Sequence, residues 1–101
     1  MIVELTEIFR TRYASESAIK DPYILKKVYI NPQHVVCLRE DGHYKQLLQE
    51  GRLVDGLNEN QSFTKIYLNR GQAGIDLTVV GSPSSIQEKL GITSEKQLLR
   101  G

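Results

Sequence analysis

Cysteine is nearly absent from this chain of 101 residues, in which Cys37 is the only one. A single cysteine excludes a disulfide scaffold and a metal site built from several cysteines. Long apolar runs are also missing, since the longest extend over only a few residues. This argues against a membrane span and against the core of a signal peptide. We therefore expect a cytoplasmic protein that does not bind membranes.

No sign of charge dominates the sequence. Thirteen basic residues stand against twelve acidic ones, for a net charge of +1, which excludes a polyanion binder driven by bulk charge. Hydrophobic residues make up 40% and charged residues 25% of the chain, as in ordinary globular domains. The length fits one small domain covering residues 1–101.

Five short segments show the composition and alternation of β-strands. They lie at residues 1–9, Tyr23–Ile30, 35–38, 63–69 and 75–80. The first carries apolar side chains on both parities, Val3 and Leu5 on one and Ile2 and Ile8 on the other. We expect this strand to be buried partly on both faces. The last two segments flank a glycine-containing loop and form the clearest hairpin.

Two longer connections separate these strands. Residues 10–22 are predicted as a hairpin connection, and residues 43–62 as an insertion between the third and fourth strands. Within the insertion, Tyr44, Leu47 and Leu48 have helical spacing, which predicts one short helix followed by a flexible tip.

A short helix is predicted after the last strand. Ser82 suits an N-cap, Pro83 the first helical residue and Gly91 a stop. Ser94 and Gln97 could form the capping box of a further short helix.

The fold class is therefore mainly β, a five-stranded antiparallel barrel or a strongly bent sheet. Alternation along the two strands of the last hairpin places five side chains on the inner face of the sheet: Ile66, Leu68, Ile75, Leu77 and Val79. Surplus apolar residues on the first strand, together with Leu98 and Leu99, predict a homo-oligomer.

Residues capable of catalysis or metal binding are few. His34 and His43 lie on either side of Cys37, and a Cys–His pair or a metal site can be imagined from them. Cys37, however, lies in an apolar run, which is typical of an inert buried thiol. Glu40 and Asp41 are predicted to lie in a solvated turn. The sequence contains neither a phosphate-loop motif nor a nucleophile-elbow motif. We expect no enzymatic activity, no cofactor and no metal.

Cations and aromatic rings alternate along two predicted strands. The residues concerned are Lys26, Lys27, Tyr29, Lys65, Tyr67 and Arg70. Aromatic platforms beside cations suit single-stranded nucleic acid, through stacking and phosphate contacts. The alternative is an ordinary exposed strand face on which lysine stems pack against tyrosine rings.

The order of several short motifs resembles that of the small FlbD-like flagellar proteins. The chain starts Met1-Ile2-Val3-Glu4-Leu5-Thr6 and continues with Tyr29-Ile30-Asn31-Pro32 and Thr64-Lys65-Ile66-Tyr67-Leu68-Asn69-Arg70-Gly71. A valine strand and a short helix complete the pattern, which covers about two-thirds of the chain. The insertion at residues 43–62 has no counterpart in those proteins, so no flagellar role is carried over.

A second resemblance, in architecture, is to Sm-like barrels. Leu68-Asn69-Arg70-Gly71 followed by an apolar strand is similar to their second motif. The resemblance implies a ring-forming barrel in which Arg70 helps to line an RNA pocket. Asp55 and Asn58 are residue types of the first motif but lie in a predicted loop, and the predicted helix is C-terminal whereas Sm-like barrels begin with one.

Our preferred interpretation is a non-enzymatic small β protein that acts through homo-oligomerisation or by docking on a protein partner. The alternative is a protein of Sm-like type that binds RNA or single-stranded DNA. In either case the candidate binding residues are Lys27, Tyr29, Lys65, Tyr67, Asn69, Arg70 and Gly71.

Overall fold

A computed structural model describes residues 2–10, 23–53, 56–70 and 73–92. These residues form one sheet of five antiparallel strands: β1 (Val3–Arg10), β2 (Tyr23–Ile30), β3 (Val35–Glu40), β4 (Phe63–Arg70) and β5 (Ala73–Val80). Two α-helices accompany the described sheet, α1 (Gly42–Gln49) and α2 (Pro83–Leu90), and a 3₁₀ helix spans Pro32–His34.

The strand order is β2-β1-β5-β4-β3, so β2 and β3 are the two edges of an open sheet. Only residues 31–34 join these two edges. The five steps from Ile30 to Val35 span at most about 17 Å when extended, whereas the edges of a flat five-stranded sheet lie about 19 Å apart. Three of the linking residues are also in the tighter 3₁₀ form, so the sheet must bend strongly to bring its edges together.

The bend gives the sheet a concave face with its own apolar core. Leu5 and Ile30 pack there with Ile66, Leu68 and Val79, although β1 and β5 separate β2 from β4 in the sheet. Helix α2 lies on this face and contributes Ile86 and Leu90 to the same core.

The opposite, convex face is partly covered by α1 and the loop that follows it. Ile8 and Phe63 pack there with Leu47 and Leu53. Leu5 and Ile8 therefore belong to different cores, which confirms that the first strand is buried on both faces.

Local sequence explains where both helices begin. The Asp41 side chain accepts hydrogen bonds from the backbone N–H groups of His43 and Tyr44 at the start of α1. The Ser82 hydroxyl accepts one from the Ser85 N–H at the start of α2, which ends at Gly91 in the left-handed conformation. N-capping side chains satisfy donors that a first helical turn leaves without partners.

The structure confirms the predicted mainly β fold, with the bent open sheet as its form. Both predicted helices, one in the insertion and one after the last strand, are present.

On the predicted inner face Ile66, Leu68 and Val79 are buried, Leu77 is half-buried, and Ile75 is 43% exposed. Ile75 is exposed because it lies near the end of the hairpin, outside the part of the concave face whose core includes α2. The predicted connection began at Arg10, which instead ends β1. Its other residues, 11–22, lie outside the described part of the chain, as do residues 93–101 with Ser94, Gln97, Leu98 and Leu99.

Candidate functional site

The structure places the predicted cation and aromatic residues in two separate groups. Lys27 and Tyr29 lie on β2, and Lys65, Tyr67 and Asn69 lie on β4. By register, all five share the convex face, but β1 and β5 separate the two groups. The rings of Tyr29 and Tyr67 therefore do not form one stacking platform.

The group on β4 is also less accessible than a stacking surface requires. Lys65 and Tyr67 are half-buried. The Arg39 guanidinium lies 6.0 Å from the centre of the Tyr67 ring, and Asp76 is the cross-strand partner of Tyr67. Asn69 is exposed, Arg70 ends the strand, and Gly71 lies outside the described residues.

The histidines and the cysteine are not brought into one site. His34 lines a groove beside β2, Cys37 lines a groove between β3 and α2, and His43 lines a cleft at the start of α1. Cys37 is half-buried, not buried as its apolar neighbours predicted, because β3 is an edge strand. Among the described residues, no group of three or more His, Cys, Asp or Glu side chains could hold a metal ion.

Asp41 is the most constrained polar residue of the convex face. The prediction of a solvated turn is wrong for this residue, which is 8% exposed. Its carboxylate caps α1 and also accepts a 2.8 Å hydrogen bond from the hydroxyl of Thr78 on β5. These bonds fix the start of α1 to the centre of the sheet, so Asp41 has a structural role.

Tyr44 lies beside Asp41 in an aromatic cluster. Its ring centroid is 5.5 Å from that of Tyr23 and 5.9 Å from that of Phe63. Burial raises the pKa of the Tyr44 hydroxyl, and negative charge on Tyr23, Asp41 and Glu7 raises it further. The folded chain therefore keeps the Tyr44 proton to a higher pH than an unfolded chain does.

Strand β2 is an edge of the described sheet whose protection is the central pair Lys26 and Lys27. Its eight residues pair with β1 in one regular register, without a bulge and without proline. Ile24, Leu25 and Tyr29 are exposed, Tyr29 by 64%. The other edge, β3, is two residues shorter and is interrupted by a register shift between Val35 and Cys37. Short length and interrupted register protect an edge from pairing, so among the described residues β2 is the edge better suited to a further strand.

An apolar groove of about 360 Å³ lies beside the C-terminal half of β2. Its apolar lining comes from β2, the hairpin and the residue before β1: Ile2, Val28, Tyr29, Ile30, Leu68, Ile75 and Leu77. We call this cavity the β2 groove. It exists because the bend brings β2 near β4 and β5 across the concave face.

Sequence reasoning found Lys27 and Tyr29 but not their position on an edge strand. The position of β2 at an edge depends on the strand order, which the alternation of a single strand does not contain. Two adjacent lysines in an otherwise apolar strand were the available signal, because charged residues commonly mark edges. Ile75 was assigned to the core and instead lines the β2 groove.

Comparison with known proteins adds no family to this description. The chain matches no family model, no curated protein and no solved structure. Within the described residues, neither α-helix is long and apolar enough to cross a membrane.

Proposed function

We propose that this protein is a non-enzymatic docking module that binds an extended segment of a protein partner as an additional strand at β2. The observation that supports it is a regular eight-residue edge strand with exposed apolar side chains. In strand addition, main-chain hydrogen bonds supply affinity and neighbouring pockets supply specificity. The β2 groove lies where such a pocket is needed.

A second copy of this chain fits β2 less well than a different partner does. Two-fold antiparallel pairing brings residues of the same face opposite each other. A pairing centred on β2 then places Lys26 or Lys27 opposite the same lysine of the second copy. Like charges directly opposite are destabilising, which favours a partner strand of another sequence.

The area of contact places the interaction in the transient class. One added strand of about eight residues buries less than the roughly 1,200 Å² of a standard stable interface. We therefore expect a dissociation constant in the range of about 1–100 μM for a short peptide.

A capped peptide of alternating threonine and valine, labelled with a fluorophore, tests the proposal. We expect binding by fluorescence polarisation, and we expect Tyr29→Ser to weaken it by about fivefold or more. The matched control is Val36→Ser, since Val36 is 65% exposed on the opposite edge strand. Both changes remove an exposed apolar side chain, so neither is expected to alter the free energy of unfolding by more than about 0.5 kcal/mol.

Three outcomes contradict the proposal. The first is an absence of peptide binding, and the second is equal weakening by Tyr29→Ser and Val36→Ser. The third is a concentration-dependent dimer that Tyr29→Ser dissociates, which would assign β2 to homo-oligomerisation. Binding of single-stranded oligouridine at low salt, lost on Lys65→Gln and unaffected by Tyr29→Ser, would instead support the nucleic-acid alternative on β4.

A further inference from the structure

We infer that the segment accepted by β2 carries two adjacent acidic residues at its centre, with apolar residues on both sides. This inference rests on the proposed function and names the class of partner. It follows from the positions of Lys26 and Lys27 and from the apolar residues around them. The expected partner is an extended acidic peptide, as distinct from a generic β-strand.

The two lysines lie at the middle of β2 and project from opposite faces of the sheet. Lys26 has its ammonium 4.2 Å from the centre of the Phe9 ring, and by register it shares the concave face with Val28. Lys27 lies on the convex face, where its ammonium is 3.2 Å from the Glu4 carboxylate. Both contacts are with residues of β1, so β1 holds the two lysine side chains in place and leaves the outer side of β2 to the added strand.

An added strand meets these lysines before it meets any acidic residue of β1. The residues opposite Lys26 and Lys27 would be one strand spacing away, about 4.8 Å, whereas Glu4 and Glu7 on β1 would be about twice as far. Coulomb attraction weakens with distance, and ionic screening at about 0.1 M salt weakens it further over about 10 Å, so the nearer lysines dominate. Opposite charges on facing residues of two strands are favourable, and like charges are not.

Apolar residues on β2 set the positions beside the acidic pair. On one side, Ile24 and Leu25 are exposed on the two faces. On the other side, Val28 lines the β2 groove on the concave face together with Ile75, and Tyr29 is exposed on the convex face. The complementary segment therefore reads apolar-apolar-acidic-acidic-apolar-apolar. This pattern is the same in both chain directions, so it fits antiparallel and parallel addition alike.

Three capped peptides test the inference on the full chain. The first is Ser-Val-Val-Glu-Glu-Val-Val-Ser, and the others carry Thr-Thr or Lys-Lys in place of Glu-Glu. By fluorescence polarisation at 50 mM salt, we expect the acidic peptide to bind about tenfold more tightly than the basic one, with the neutral one between them. The preference should shrink as salt is raised, because the paired charges are exposed.

Two variants separate charge pairing from other causes. In Lys26→Gln/Lys27→Gln we expect the three peptides to bind within about twofold of one another. The control Lys45→Gln/Lys89→Gln removes the same charge from α1 and α2 and should retain the preference. In Lys26→Glu/Lys27→Glu the order of the peptides should reverse.

The outcomes also distinguish this inference from the proposed function. If all three peptides bind equally to the unaltered chain, β2 docks strands but has no acidic specificity, and the inference is wrong. A preference for the acidic peptide that survives Lys26→Gln/Lys27→Gln would likewise overturn it. If none of the peptides binds, the proposed function itself fails.

Discussion

Asp41 shows how one side chain connects the insertion to the sheet. It caps α1 and accepts the Thr78 hydroxyl, and both residues are nearly inaccessible to solvent. A buried carboxylate is tolerated when its oxygens have hydrogen-bond partners. The sequence marks Asp41 only as a turn residue before a helix, because its contact with Thr78 spans 37 positions.

We expect Asp41→Ala to lower the free energy of unfolding by about 2–4 kcal/mol. The loss combines an N-cap, worth about 1 kcal/mol, with a buried Thr78 hydroxyl that no longer has its acceptor, which costs about 1–3 kcal/mol. Asp41→Asn keeps an oxygen for the cap and should cost less. Urea titration measures both changes, and a loss below about 1 kcal/mol for Asp41→Ala would show that the capping and Thr78 contacts contribute little.

Tyr44 gives the fold a dependence on alkaline pH. Burial and nearby negative charge raise the pKa of its hydroxyl in the folded state. An unfolded chain then loses this proton at lower pH than the folded chain does, so the unfolded state binds fewer protons above about pH 10. Its contribution to stability is therefore complete below that pH and declines as the pH rises.

We expect Tyr44→Phe to reduce this alkaline decline. The measurement is the free energy of unfolding from pH 8 to 11, with Tyr29→Phe as the control because Tyr29 is exposed. Equal pH dependence in the unaltered chain and in Tyr44→Phe would contradict the assigned cause.

At the scale of elements, the sequence predicts nearly every described strand and helix. Period-two alternation identifies the strands, and the Ser82, Pro83 and Gly91 signals identify α2 within a residue. The differences lie at the ends of elements: β3 continues to Glu40, and the residue after it caps α1. Alternation predicts which face of the sheet a residue lies on, but not how deeply it is buried. Burial depends on where a helix packs over that face, which the alternation of one strand does not contain.

Ile66 and Ile75 offer a direct test of that difference in depth. They share the concave face by register, but Ile66 is fully buried whereas Ile75 is 43% exposed. We expect Ile66→Ala to lower the free energy of unfolding by about 2–5 kcal/mol and Ile75→Ala by less than about 1 kcal/mol. Similar losses for both, in urea titrations with unchanged slopes, would contradict the placement of the core.

The candidate site is less predictable than the elements, because it arises from strand order. Lys27 and Tyr29 were recognisable as a cation and a ring on one strand. That β2 is an edge, and that Val28 and Ile75 line the same groove, follows only when β1 is placed between β2 and β5. No local pattern encodes that order.

At the scale of the whole molecule, the short connection between β2 and β3 sets the surroundings of the proposed docking edge. The four residues after β2 keep the first residue of β3 close to the last residue of β2. A register shift interrupts the pairing of β3 with β4. The bend leaves the β2 groove open on the concave side. One edge of the described sheet, β2, is thus regular over eight residues, and the other, β3, is shorter and interrupted.

Amide hydrogen exchange resolved by residue tests the proposed docking role of β2 most directly. The sample is the full chain with and without a saturating amount of the acidic peptide Ser-Val-Val-Glu-Glu-Val-Val-Ser. We predict that exchange slows at alternate residues of β2, whose N–H groups point away from β1, and is unchanged in β3. Protection in β3 with none in β2, or no change in either edge strand, would contradict the account.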